Sequence, residues 1–464
     1  MAGLETAVAL AERGAAEIEV IERGGSARRD HIHWDAKTYP GDEKTQRWRS
    51  DGWGIGGGLS ERLGGRSLCY HGVLLGIEEE ALKGWPSEWV ETFADENAGY
   101  AGFLASLSSE FPELADRDFS VEARRIGLRH VPQAARLDTE KHRFCAYSPL
   151  GAALALREEG RLTISQGGIE RLRRADGKWM LDVFDRSGNS DSRGGFDACV
   201  LSASAIGNAQ IVARTLGCDV ETTITDHFSM GVLARLPAGP ALAELRHAGL
   251  WAGYLPRAEI GANLFVQEMA PLEEGDRMVK VAVVAEQGLS PEDYSRLSVM
   301  IDDGRTSDTY IDTRIPLRDR RRLAGLRDEL ADVVRQIAQG DVADVTGSWG
   351  GFAVPPPRGE TEPGRSKAQW QAHDNALQTL LDQPKPGHMA FYDFPYGAFE
   401  HEACTHPVGG EGDLATTLEL ELEKLPDVFL VGPGSFPRMG AANPAITIMV
   451  MARALGGRLA ERYL

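Results

Sequence analysis

Four short stretches carry residue types that can do chemistry. "AAEIEVIERG" reads as a strand closing on an acidic residue, Glu22, and it follows a helix. A helix feeding a strand that ends in an acid is the later part of a βαβ dinucleotide-binding unit, in which the carboxylate hydrogen-bonds a ribose hydroxyl. Glu22 lies 19 residues beyond Gly3, close to the roughly 20 that separate glycine loop and acid in such units. The same residues also fit an ordinary surface helix and strand. In "RLGGRSLCYHG", Gly64, Gly65 and Ser67 let backbone approach a flat or phosphate-bearing ligand; a flexible loop is the commoner meaning of such glycine density. Asn443-Pro444 opens a helix as a cap residue followed by proline at the first helical position. His401, in the loop "FEHEACTHPVGG", has a side chain suited to taking a proton near neutral pH, and equally one that can serve as a surface or hydrogen-bonded residue.

The elements that must position these residues follow from pattern. A helix over 4–14 and a strand over 16–22 lead into a polar, aperiodic loop. A glycine-dense stretch and a helical stretch come next, with a break at Trp85-Pro86 and a restart at Ser87. Residues 160–202 read as strands, and "AIGNAQIVARTLG" as a helix ending on Gly217. Long alternating stretches over 225–315 suit an antiparallel sheet covered on one face, followed by a charged helix at about 316–339 and a proline-rich loop, "PPPRGETEPGRSKAQW". The strand "DVFLVG", a glycine-rich turn and the helix "AITIMVMARALGGRLAERYL" return the chain to α/β character.

A chain of 464 residues suggests two or three domains. With 42% hydrophobic and 26% charged residues and no apolar run approaching about 18 residues, it reads as neither disordered nor membrane-spanning. A net charge of −19 argues against a nucleic-acid partner. Five cysteines without CxxC or Cys/His spacing indicate neither a disulfide framework nor a metal site. No secretory signal is visible, and a cytoplasmic setting fits these features.

The closing segments resemble the glucose–methanol–choline oxidoreductase family, flavoenzymes that oxidise alcohols with FAD. Gly3 to Glu22 is similar to the family's "GxGPAGLETAxxLAERG", Gly64-Gly65-Arg66-Ser67 to its flavin-contacting "GGRS", His401-Glu402-Ala403 with Thr405 to "HEAGT", and Gly432 to Met451 to "GPxxFPxxGxxNPxLTIxALA". Weaker matches are "SQGGIERL", which contains Ile169, and "FDACVLSASAIGNAQI". The resemblance implies an α/β fold: a doubly wound FAD-binding domain from 1–90, 155–225 and 425–464, a helical or loop insertion at 91–154, and an interleaved antiparallel-sheet substrate domain at 226–424. It makes His401 the active-site base and Asn443 its partner. It places Gly3, Glu22, Gly64, Gly65, Ser67, Ile169, Gly432 and Pro444 at the cofactor, with no metal. His406 and His71 are lesser candidates, the latter for covalent flavin attachment. Trp251, Tyr254, Trp349, Tyr392 and Tyr396 suit either a sugar site or sheet core, and Asp226-His227 reads as structural.

The implied reaction is oxidation of a small-molecule alcohol, expected to be polyol or sugar-like, with oxygen or another acceptor taking the electrons. Rival readings are a flavin monooxygenase or amine oxidase, and a degenerate relative without FAD that acts as a binding protein. Departures accompany the matches: Cys404 and Ser204 stand where the family has glycine, and "THPVGG" replaces an arginine–methionine–glycine run. The first strand and the first two fingerprint glycines are missing from the chain as written. The expectation is therefore an amino-terminally clipped form of an FAD enzyme that binds FAD weakly or not at all.

Overall fold

The structure, a computed structural model, describes residues 1–14, 17–25, 31, 44–45, 47–50, 55, 58–138, 143–185, 187–237, 242–245, 250–269, 275–346, 372–394, 396–397 and 399–464. The proline-rich loop, Trp349 and most of the polar stretch after Gly25 lie outside these residues.

The expected opening helix forms as α1 (Ala2–Glu12) and the expected strand as β1 (Glu19–Glu22). Small side chains at Ala7, Ala9 and Ala11 are buried and bring α1 close to the 19-residue helix Ala445–Tyr463. Gly456 sits at the crossing, where a Cβ would stand 2.7 Å from the Ala9 methyl. Glu5 is fully buried there. Its carboxylate accepts from Arg453 Nη1 at 2.9 Å and Tyr147 Oη at 3.0 Å, which offsets the cost of removing the charge from water.

β1 pairs in parallel with β2 (Thr163–Gln166), and β3 (Cys199–Leu201) pairs in parallel with Val428–Leu430. Between them in sequence lies an antiparallel meander of Gly168–Ala175, Lys178–Phe184 and Ser190–Phe196. α2 (Ser204–Leu216) follows β3 and closes on left-handed Gly217, φ 68°, as its sequence predicts. The expectation of one doubly wound sheet is met in part, since the described parallel strands form two separate pairs. Val428–Leu430 has its second edge occupied: Leu430 N–H donates to Leu420 O at 2.9 Å, and Val428 O accepts from Leu422 N–H at 2.7 Å. Among the described residues β1 and β3 each keep a free edge, and Ile21 and Val200 on those edges border one cavity.

The expected antiparallel sheet is a six-stranded one, antiparallel except where Ala343–Asp344 pairs in parallel with His388–Asp393. It comprises β4 (His227–Leu236), β5 (Gly253–Arg257), β6 (Ala262–Glu268), β7 (Arg277–Glu286), β8 (Ala343–Asp344) and β9 (His388–Asp393), in the order β5-β6-β7-β4-β9-β8. A second sheet joins Val220–Ile224, Ser295–Asp302, Arg305–Asp312 and Arg49–Ser50. Strand alternation divides β4: Phe228, Met230, Val232 and Ala234 join the core with Leu330, Val333, Val334 and Ile337 of the helix Leu326–Ala338. His227, Ser229, Gly231 and Leu233 alternate with them and occupy the opposite face. The charged helix expected at 316–339 is two helices, Leu317–Ala324 and Leu326–Ala338, separated at Gly325.

Candidate active site

A cavity of about 820 Å³ lies between the parallel pairs and the six-stranded sheet. Gly3, Glu22, Gly64, Gly65, Ile169, Gly432, Asn443, Pro444 and His401 all line it. The stretches singled out in sequence, hundreds of residues apart, therefore converge on one space. Ser67 is the exception: it is fully buried and its Oγ bonds Gly64 O and Ser148 Oγ, each at 2.6 Å, so it closes the 64–67 turn rather than facing the cavity.

The loop that carries His401 is held from several sides. Thr225 and Ala403 exchange backbone hydrogen bonds at 2.9 and 3.1 Å, while Thr222 Oγ1 and Thr223 Oγ1 donate to the carbonyls of Thr405 and Cys404 at 2.7 and 2.6 Å. Asp226 joins the two histidines: Oδ1 accepts from His227 N–H at 2.6 Å and Oδ2 from His401 N–H at 3.0 Å. Burial, and then the neighbouring Glu402, push the Asp226 carboxyl well above the ordinary range. Arg66 anchors the same loop, forming a two-point pair with Glu402, one arm at 3.0 Å, and bonding Glu400 O. Cys404 has φ 63° and Ser204 φ 73°. Both residues that replace a family glycine thus keep the left-handed backbone that glycine adopts more easily.

The ring chemistry follows from the partners. His227 Nε2 lies 2.8 Å from Gly440 O, which can only accept, so Nε2 carries the proton. His227 Nδ1 is then an acceptor, 2.9 Å from His401 Nδ1, and the proton between the two rings belongs to His401. His401 is left with an unprotonated Nε2. Burial pushes the His227 ring down to about 4, and burial, followed by His227 and Arg66, holds His401 well below the ordinary histidine range. Phe399 stacks on His401 with ring centroids 5.5 Å apart. His227, read from sequence as structural, touches the candidate base. Its signal was only its place beside Asp226, because its contact to His401 spans 174 positions.

The remaining candidates separate clearly. His406 is fully buried between Thr405 Oγ1 at 2.8 Å and Asn208 Nδ2 at 3.5 Å and does not border the cavity; burial pushes it down to about 3. His71 is exposed where the cavity meets Phe144 and Trp251. Trp251 and Tyr392 line the cavity, whereas Tyr396 is buried and accepts from Asp226 N–H at 2.8 Å. Asn443, expected as a helix cap, makes no capping bond; Pro444 takes the cap position with φ −72°. Asn443 borders the cavity. Glu22 also borders it, accepting from Gly24 N–H at 2.8 Å, and burial raises its carboxyl. Among the described residues no group of three or more His, Cys, Asp or Glu is placed to hold a metal, and no helix is long and apolar enough to cross a membrane.

The crystal structure of pyridoxine 4-oxidase from Mesorbium loti is similar to this chain, with a TM-score of 0.58 over 100% of this chain and 98% of that one, at 16% identity. The chain has the fold of that oxidase. That mixed α/β fold fits the architecture the glucose–methanol–choline resemblance implies. No family model matches the chain, and no curated protein does.

Proposed function

We propose that this chain is an FAD-dependent oxidoreductase of the glucose–methanol–choline type that oxidises the CH–OH group of a small-molecule alcohol to an aldehyde or ketone. The observation that carries the reading is the tautomer chain from Gly440 O through His227 to His401, which leaves a bare ring nitrogen on a residue that lines the same cavity as Asn443.

The cavity walls fit the cofactor. Glu22 offers a carboxylate for a ribose hydroxyl at the end of β1. Gly64 and Gly65 hold left-handed turns, φ 92° and 52°, and the space where a Cβ of Gly432 would stand is open, so backbone can meet a flat ring. The Ala445–Tyr463 helix turns its positive end toward the same space, where it stabilises an anionic ring system. Cavity residues before 72, from 167 to 214 and after 430 form this part, which supports the division into cofactor segments and an intervening substrate domain.

Bound FAD supplies the hydride acceptor. His401 Nε2 takes the hydroxyl proton as hydride leaves the same carbon, and the Asn443 amide orients the hydroxyl without competing for its proton. His227 fixes the His401 tautomer, Asp226 fixes the backbone of both histidines, and Arg66 holds the loop through Glu402. The substrate side is walled by Trp251, Phe265, Tyr392, Phe394 and Phe399, which favours an alcohol with an apolar or aromatic stem over a polyol. Protein with the absorption of oxidised flavin that bleaches on mixing with alcohols bears the reading out; colour without bleaching by any alcohol points to a monooxygenase or amine oxidase, and no flavin uptake to a binding protein.

A further inference from the structure

Far from His401, the cavity contains a cation that no carboxylate of the described residues pairs with. Lys280 lies on β7, opposite Leu233 of β4, and lines the cavity together with Ala282 and Val284. Among the described residues no carboxylate pairs with it, and burial alone pushes its ammonium down to about 8. Asp374 also lines the cavity, with its Oδ1 turned to His373 Nδ1 at 3.4 Å. Among the described residues the buried Tyr392 Oη has no partner, and its ring meets that of His373 edge to face with centroids 5.0 Å apart. Buried polar atoms are nearly always partnered, so an orphan hydroxyl beside a cation that no described carboxylate pairs with calls for an anion.

The sheet sets the distance to the base. His227 and Leu233 are six positions apart on β4, about 20 Å at the rise of an extended strand. The lysine side chain reaches several ångströms from its Cα, so an occupant bridges on the order of 15 Å between His401 and the ammonium. Between the two ends the wall is Phe265, Ala282, Val284 and Phe394, with Ser229 as the polar exception.

We propose that Lys280, with Tyr392 beside it, forms a carboxylate subsite, and that the substrate is an alcohol bearing a carboxylate at the far end of an extended apolar stem. A single positive charge beside neutral polar groups matches a monoanion better than a phosphate dianion, which calls for more charge or a bidentate arginine. This substrate class rests on the alcohol-oxidation reading for its carbinol end and on Lys280 for its anionic end.

The test separates the two ends. Calorimetric titration of the full chain, with FAD added, uses decanoate, which has the carboxylate and no carbinol, and decylamine as the opposite charge. Decanoate binds, decylamine does not, and Lys280→Gln weakens decanoate about tenfold or more, the worth of one charge-assisted hydrogen bond. Tyr392→Phe, which keeps the ring, weakens it by a smaller factor. Equal decanoate affinity in wild type and Lys280→Gln, or no binding to a folded wild type, overturns the subsite whether or not alcohols are oxidised. In rapid mixing, wild type reduces its flavin with ω-hydroxydecanoate at about tenfold higher kcat/KM than with decanol, and Lys280→Gln brings the acid to the level of decanol. Lysine-dependent decanoate binding without flavin reduction by any alcohol supports the subsite and refutes the alcohol-oxidation reading.

Discussion

His401 depends on a neighbour for its chemistry. With Gly440 O holding the proton on His227 Nε2 and His227 Nδ1 accepting from His401, the free nitrogen of the candidate base is chosen by partners, not by the ring itself. His401→Ala is expected to slow flavin reduction by about 10²–10⁴, the range for a positioned acid–base group, with FAD still bound; stopped-flow reduction at an unchanged rate removes the role. His227→Ala leaves the His401 tautomer unfixed and takes away a neighbour that lowers its pKa, so the reduction rate falls and its acid limb moves to higher pH. His227→Gln, which keeps a donor and an acceptor, recovers part of both effects. A histidine that merely packs leaves the pH profile where it was. Asn443→Ala slows reduction while the melting temperature holds, because the amide caps nothing. At this scale the sequence was legible where a motif carried the residue, as for His401, Asn443 and Glu22. It was silent on His227 and Arg66, whose partners stand 174 and 336 positions away.

Elements were legible where one pattern sufficed. Alternation gave the antiparallel strands, Gly217 the end of α2, and Trp85-Pro86 the restart at Ser87. Pairing was not legible, because nothing local states that β1 meets β2 or that Arg49–Ser50 joins a sheet more than two hundred positions on. The contact between α1 and Ala445–Tyr463 is another such joint. It consists of small side chains around Gly456 and the buried Glu5–Arg453 pair. Gly456→Val forces the helices apart against the Ala9 methyl, and urea unfolding should register a loss of about 1–3 kcal/mol, typical of overpacking. Turnover follows only as far as the Pro444 end of the helix shifts.

At the scale of the whole molecule, among the described residues, burial holds His227 and His406 neutral, at about 4 and about 3. In the unfolded chain each titrates near 6.5, so below that pH the unfolded state binds more protons and stability falls as pH falls. Between pH 6.5 and 5 each contributes a loss on the order of 2 kcal/mol, which a series of melts read against pH should show. A second property follows from the free edges of β1 and β3. Val20 and Glu22 direct their backbone groups toward β2, and Cys199 and Leu201 theirs toward Val428–Leu430, so the amides of Ile21 and Val200 point into the space between. No ladder crosses that seam among the described strands, and the two halves are tied instead by helix contacts, α1 against Ala445–Tyr463 and α2 against Gly168–Ala175. In deuterated water Ile21 and Val200 should label early while Val20 and Leu201 stay protected, and under mild denaturant the β1–β2 half should open as a unit before the β3 half.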